Sequence, residues 1–269
     1  MLLLIVLGTV TAGVDWSSKG VVRPAVDASC SAGPAQVVVE TVEALHTIAT
    51  QKPLEHLSVQ QLLDCEQQQC GGGFLDFTYV NENGLCTAAE YPRSFAICTD
   101  GHTCQGGTQC NARNCTRMQL THGVRKVAKG NESQLAELLM HAPVAVAVNA
   151  GCAAFTSYTG GILDDPACTS THVDAPMLAV GFGVDPTSGK EYWKLKNYWG
   201  PSWGEGGFIR LVRGKNMCGV AEYAVQPEGG CLAQSKMCHL GRDDECCAGL
   251  ACKMSGGTYK QPMCLPYRA

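Results

Sequence analysis

No block of lysines or arginines runs anywhere in the 269 residues, and the formal net charge is −4. A chain without such a block has no electrostatic footprint for nucleic acid or for an anionic membrane surface. Long apolar runs are missing too. Leu2 to Leu7 is uninterrupted but too short to cross a bilayer, so no membrane span is expected. No internal repeat is present, which excludes a repeat array. Cys-x-x-Cys pairs of zinc-site spacing are also lacking, so neither a metal nor any other cofactor is expected.

Cysteine itself is abundant, with seventeen in the chain. Cytosolic reductants keep thiols reduced, so this usage points to disulfides and to a secreted or lysosome-like, extracellular-type compartment. The N-terminus agrees. Leu2 to Leu7 followed by Val10-Thr11-Ala12 reads as a signal peptide over residues 1–12, although the usual positive n-region is lacking. Asn114-Cys115-Thr116 and Asn131-Glu132-Ser133 are acceptor sequons, which makes Asn114 and Asn131 candidate glycosylation sites.

Two regimes follow the leader: a large domain over 13–228 and a cysteine-rich segment over 229–269. Gln226-Pro227-Glu228-Gly229-Gly230 reads as the linker between them. In the large part Val38, Val42, Leu45 and Ala49 share one helical face, and Lys52-Pro53 ends that helix. Ser58-Val59-Gln60-Gln61 is a capping box opening a second helix. Asn131 to Met140 predicts a third, with Leu135, Leu138 and Leu139 inward. Beyond Pro143 the period changes to two: Val144, Val146 and Val148 alternate with alanines. Val180–Gly183, Tyr192–Lys196 and Phe208–Val212 then read as strands. Helices first and strands second predict an α+β fold with a helical half and a sheet half.

Several ordered segments resemble the papain-like cysteine peptidases. They are Val14-Asp15-Trp16 with Lys19-Gly20-Val21-Val22 and Pro24; Leu57-Ser58 through Leu62-Leu63-Asp64-Cys65; Cys70-Gly71-Gly72-Gly73; and Val173-Asp174 with Leu178 to Gly183. The strongest is Lys196-Asn197-Tyr198-Trp199-Gly200-Pro201-Ser202-Trp203-Gly204-Glu205-Gly206-Gly207-Phe208-Ile209-Arg210. The resemblance implies a two-lobed fold, a helical lobe plus an antiparallel β lobe, with a peptide cleft between them.

That family's chemistry needs a thiolate at a helix N-terminus, a histidine, an asparagine to orient the ring and a glutamine in the oxyanion hole. Placing Cys30 on the structural cysteine of Ser29-Cys30-Ser31-Ala32-Gly33-Pro34 puts Gly33 at the nucleophile and Pro34 at N1 of the helix. Six residues before Gly181 stands Ala175, at the family's histidine position; His172 is three residues too early. The glutamine position falls on Asp27 or Ala28. Asn197 remains, with Trp199 beside it. The expectation is a pseudoprotease, not an enzyme. Its cleft would hold extended peptides or proteins along Gly72 and Gly73, with Asp174 and Trp199 on its walls. The alternatives are an active endopeptidase with a relocated nucleophile, for which Cys152 is the nearby thiol, and a secreted toxin or inhibitor acting through the tail.

By the same resemblance Cys30 pairs with Cys70, Cys65 with Cys98 or Cys104, and Cys168 with Cys218. Eleven cysteines in the large part is an odd number, and Cys152 is the candidate left over. The tail, Cys231-x6-Cys238-x7-Cys246-Cys247-x4-Cys252-x11-Cys264, resembles inhibitor-cystine-knot (knottin) peptides, with a granulin-like module as runner-up. The knottin pattern implies Cys231–Cys247, Cys238–Cys252 and Cys246–Cys264. The target of such a tail is unknown from sequence.

Overall fold

The structure is a computed structural model. It describes residues 13–28, 32–66, 75–93, 97–98, 104–105, 110–111, 115, 117–118, 120–168, 172–231, 238, 246, 250–255 and 262–266. The leader 1–12 lies outside them.

The chain opens with β1 (Val14–Asp15) and a single 3-10 turn, Trp16–Ser18, then enters α1 (Gly33–Thr50), α2 (Val59–Cys65) and α3 (Thr78–Asn83). A small hairpin, β2 (Ile97–Cys98) and β3 (Cys104–Gln105), precedes β4 (Thr121–Lys126), α4 (Glu132–Leu139), β5 (Val144–Val148) and α5 (Ala153–Thr156). The strands β6 (Ile162–Leu163), β7 (Ala175–Val184), β8 (Glu191–Lys196), β9 (Phe208–Val212) and β10 (Tyr223–Gly229) complete the large part. The tail contributes β11 (Leu250–Met254) and β12 (Pro262–Pro266). The main sheet runs β4-β10-β5-β7-β8-β9-β6, with β1 added beside β7. All its pairings are antiparallel except β6 with β9. This is the expected α+β arrangement.

The helix α1 departs from the one-faced reading of its sequence. Val37, Val38, Val39, Val42 and Ala44 have no exposure, and Gln36, Glu40, Glu43 and His46 are buried as well. The reason is position: α1 packs on β5, β7, β10 and α2 at once. A helix enclosed on several sides has no solvent stripe, so its polar residues must find partners inside. Glu40 meets Lys196 at 2.6 Å with neither side chain exposed, and Gln36 donates to Glu40 at 2.8 Å. Glu43 accepts from Arg23 Nε at 2.6 Å and from the Leu57 backbone N–H at 2.6 Å. The helix ends in a left-handed Gln51 (φ 57°), whose N–H donates to the Thr47 carbonyl at 2.9 Å, just before Lys52-Pro53.

Half of the expected capping box forms at α2. Ser58 Oγ accepts from the Gln61 N–H at 3.0 Å. Gln61 does not reach back. Its Oε1 accepts from the Cys86 N–H at 2.7 Å and its Nε2 donates to the Gly84 carbonyl at 3.1 Å, so it ties α2 to the following segment instead. Asn131 caps α4 through Gln134 N–H, and Leu135, Leu138 and Leu139 are buried as expected.

The linker reading of 226–230 is corrected. Gln226, Pro227, Glu228 and Gly229 continue β10 opposite Arg125, Val124, Gly123 and Thr121 of β4. Proline is tolerated in that strand and the terminal glycine takes φ 124° at a bulge. Gly230 then crosses α1 so closely that a Cβ there would lie 2.8 Å from Leu45 Cγ, and the His46 ring nitrogen meets its carbonyl at 2.5 Å.

Apolar side chains gather into two main clusters. One fills the sheet half around Trp193, Phe155, Leu178 and Leu195, and the other fills the helical half around Val38, Leu62, Phe77 and Leu85.

Candidate active-site cleft

The candidate site takes in the start of α1 and the start of β7, where the resemblance places a cleft. Ala32 is the N-cap of α1 and makes no side-chain cap, so Gly33 is N1 and Pro34 is N2, one position later than the sequence reading. A Cβ built on Gly33 would lie 3.2 Å from Cγ of Pro176. Ala175 opens β7 opposite Val148. Pro176, the residue after Ala175, is thus the near neighbour of Gly33, and neither Gly33 nor Ala175 carries a titratable group. His172 is exposed, three residues before β7.

Asp174 holds the neighbouring turn: its Oδ1 accepts from the Ala150 N–H at 3.0 Å and its own N–H donates to Val148 at 2.9 Å. Asp27 is exposed and pairs backbone to backbone with Trp199, while buried Ala28 donates to the Tyr198 carbonyl at 3.0 Å. An alanine methyl offers no hydrogen-bond donor, and a carboxylate only accepts.

Asn197 is buried. Its Oδ1 accepts from the Tyr198 N–H at 2.8 Å, and its Nδ2 is buried with no hydrogen-bond partner among the described residues. Such an orphan costs about 1–3 kcal/mol. Beneath it, the Tyr198 phenol is pushed well above its ordinary pKa by burial and then by Glu40. Lys196 is pushed down by burial, and the Glu40 carboxylate opposes that shift.

Trp199 is 43 % exposed yet sits in an aromatic cluster. It meets Trp203 edge-on at 5.2 Å and Phe155 at 5.8 Å, and Trp203 also contacts Phe155 and Tyr158. Burial pushes the Tyr158 phenol up to about 12. Sequence reading found Trp199 but missed Phe155 and Tyr158. Their spacing of three, after Cys152, was the available signal for one face of a helical turn.

The disulfides correct several pairings. Cys65 bonds to Cys110, with Cα atoms 4.7 Å apart, and not to Cys98 or Cys104. Those two are instead backbone register partners across the β2–β3 hairpin. Cys168 bonds to Cys152 and not to Cys218, which is buried and free. Cys152 is therefore not the leftover thiol. It heads α5 within bonding reach of Cys168, at a Cα separation of 5.3 Å. Cys86 pairs with Cys115. In the tail Cys238–Cys252 and Cys246–Cys264 form, two of the three pairings implied there, and Cys231 is also disulfide-bonded. Cys30, Cys70, Gly72, Gly73, Asn114 and Cys247 lie outside the described residues. Asn131 is half-buried, its Oδ1 engaged as the α4 cap. No described helix is long and apolar enough to cross a membrane.

Residues 10–228 match the family model described as papain family cysteine protease. The chain is 34% identical over 225 residues to the probable cysteine protease RD21C of Arabidopsis thaliana, covering 80% of this chain and 47% of that protein. It is also 34% identical over 225 residues to digestive cysteine proteinase 1 of Homarus americanus, covering 80% and 66%. It thus spans about half to two thirds of the length of these curated relatives. Among solved structures, the bromelain protease from Ananas comosus in complex with the E64 inhibitor is similar with a TM-score of 0.70 at 31% identity, covering 81% of this chain and 99% of that one.

Proposed function

The chain belongs to the papain family of cysteine proteases, and we propose that it is a non-catalytic member that binds peptides in its cleft. The observation that carries this reading is the pair Gly33 and Ala175, at the start of α1 and the start of β7, with Pro176 of β7 next to Gly33. Acyl transfer of the family's kind needs a thiolate and an imidazolium at those two places. A hydrogen and a methyl group supply neither. Asn197 supports the same reading, since its buried amide nitrogen has nothing to hydrogen-bond. In another hydrolase, loss of the nucleophile alone lowers turnover by about 10⁶, and the side-chain oxyanion donor is missing here as well.

What remains among the described residues is an exposed aromatic wall at Trp199 and a carboxylate at Asp174, beside which an extended peptide would be held through main-chain hydrogen bonds. The disulfides across both parts support a secreted or lysosome-like setting, and the tail, read as knottin-like, would bind a second partner.

The test uses the purified full chain. A peptide library should be retained without cleavage, and an epoxide inhibitor of the E64 type should leave the mass unchanged. Cleavage that disappears in Cys152→Ser would overturn the proposal in favour of a relocated nucleophile.

A further inference from the structure

Three sulfurs meet where the segments before α5, before β7 and after β9 converge. The Sγ atoms of Cys152, Cys168 and Cys218 all lie within 4.8 Å of one another, with two joined and the third a thiol. The backbone holds them there. The Cys218 N–H donates to the Cys168 carbonyl at 3.3 Å, and the Asn149 N–H donates to the Cys218 carbonyl at 2.7 Å. Cys218 itself sits at φ 54°, a left-handed conformation that costs a non-glycine residue energy and persists only where its surroundings impose it. The thiol is thus fixed beside a disulfide and not merely near one, so attack on it would be intramolecular and favoured by orientation.

The three positions differ in exposure. Cys168 and Cys218 are buried at 3% and 0%, whereas Cys152 is half-buried and stands two residues from Ala150, which Asp174 holds. Its helix α5 carries Phe155 into the Trp199 cluster.

We propose that these sulfurs form an internal thiol–disulfide exchange centre, whose second isomer frees the Cys152 thiol as a modification site for small disulfides beside the cleft. In the step, the Cys218 thiolate attacks Cys168 Sγ. The Cys168–Cys218 bond forms, the Cys168–Cys152 bond breaks, and Cys152 leaves as thiolate and takes up the proton that Cys218 gave up. Nothing is oxidised or reduced overall. Attack at Cys168 is the productive direction because it expels the half-buried sulfur. Attack at Cys152 would expel a buried one, a poorer leaving group. The freed Cys152 thiolate can then attack a small disulfide, forming one mixed disulfide and releasing one thiol.

The centre is slow and driven by alkali. Burial first, and then the Asp165 carboxylate, push the Cys218 thiol up to about 12. The attacking species is the thiolate, so its fraction rises tenfold per pH unit below that value. The sign for the equilibrium is the same. The isomer whose free thiol has the lower pKa loses its proton first, so rising pH favours Cys168–Cys218.

The experiment treats the full chain, without reductant, with 4,4′-dithiodipyridine from about pH 7 to pH 9, then quenches in acid and maps disulfides by mass spectrometry. The expected result is one equivalent of label on Cys152 together with a Cys168–Cys218 bond, at a rate rising about tenfold per pH unit. Cys218→Ser, or Cys218→Ala should the serine variant misfold, should keep Cys152–Cys168 and take no label. Three results would each overturn the proposal: Cys152–Cys168 alone at every pH, a permanently free Cys152 whose labelling levels off like an ordinary thiol of pKa about 8.5, or labelling of Cys152 in the Cys218 variants. None of these outcomes depends on whether the cleft binds or cleaves peptides.

Discussion

A Cβ at Gly33 would approach Pro176 Cγ at 3.2 Å, so a side chain there fits only if that ring gives by a few tenths of an ångström. This contact, together with Ala175 and Asp27, sets how much chemistry could be put back. Gly33→Cys with Ala175→His supplies a thiol and an imidazole, and the Nδ2 of Asn197 has no hydrogen-bond partner among the described residues to give up. The double variant should react with an epoxide probe slowly and turn over peptides poorly, because a carboxylate at Asp27 opposes a developing oxyanion. Adding Asp27→Gln should raise kcat/KM by more than about tenfold, since one oxyanion donor is typically worth about 10² to 10³. A double variant already as active as an ordinary family member would show that Asp27 does not occupy the donor position. These residues were legible in the sequence because each sits in a short motif whose internal spacing is local. The cysteine partners were not. Cys65 finds Cys110 across 45 residues, and Cys168 chooses Cys152 over Cys218, through distances that only the packed chain sets.

Elements were legible where periodicity was clean and illegible where burial is two-sided. The strands β8 and β9 fall where the apolar runs placed them, whereas β7 starts at Ala175, five residues before the expected Val180. The enclosure of α1 was hidden, because the partners of its glutamates, Lys196 and Arg23, come from other segments of the chain. Lys196 ties β8 to α1 with no exposure at either end, so the pair tests that enclosure. Lys196→Met leaves Glu40 uncompensated and should cost about 3–5 kcal/mol. Combining it with Glu40→Gln, which can keep an acceptor for the Gln36 amide, should recover most of the loss in urea unfolding. An additive double variant would mean that the pair is not coupled. The far end of β10 was hidden for a different reason: Gln-Pro-Glu-Gly-Gly has the composition of a linker, but β4 supplies the missing hydrogen bonds. Gln226 is fully buried there, and its Nε2 donates to the carbonyls of Leu138, Ala142 and Pro143 at 3.1, 2.9 and 3.2 Å. Gln226→Ala should therefore cost about 1–3 kcal/mol. A linker residue would cost under about 0.5.

At the scale of the molecule, two different physics hold the two parts together. The large part has two apolar clusters built on Trp193, Phe155, Phe77 and many aliphatic side chains, enough buried surface to stand on its own. Among the described residues the tail's cluster is Cys238, Cys246, Cys252 and Cys264 with Leu250 against them, beside a two-stranded ladder from Leu250–Pro266 to Met254–Pro262. A lone hairpin is marginal in water, so the loops closed by Cys238–Cys252 and Cys246–Cys264, with separations of 14 and 18 residues, must supply the difference. Each such loop is worth about 3 kcal/mol through the restricted unfolded chain. Gly230 is taken as the boundary between the two regimes, since it crosses α1 closely at the end of β10. A chain ending at Gly230 should therefore melt within about 4 °C of the full chain, equivalent to about 1–2 kcal/mol at this size. The separate segment 231–269 should be folded when oxidised and should lose its near-ultraviolet signal and protease resistance on reduction. A truncated chain that melts far lower would place the tail inside the large domain's cooperative unit. A reduced tail that stays protected would show that its fold does not rest on sulfur.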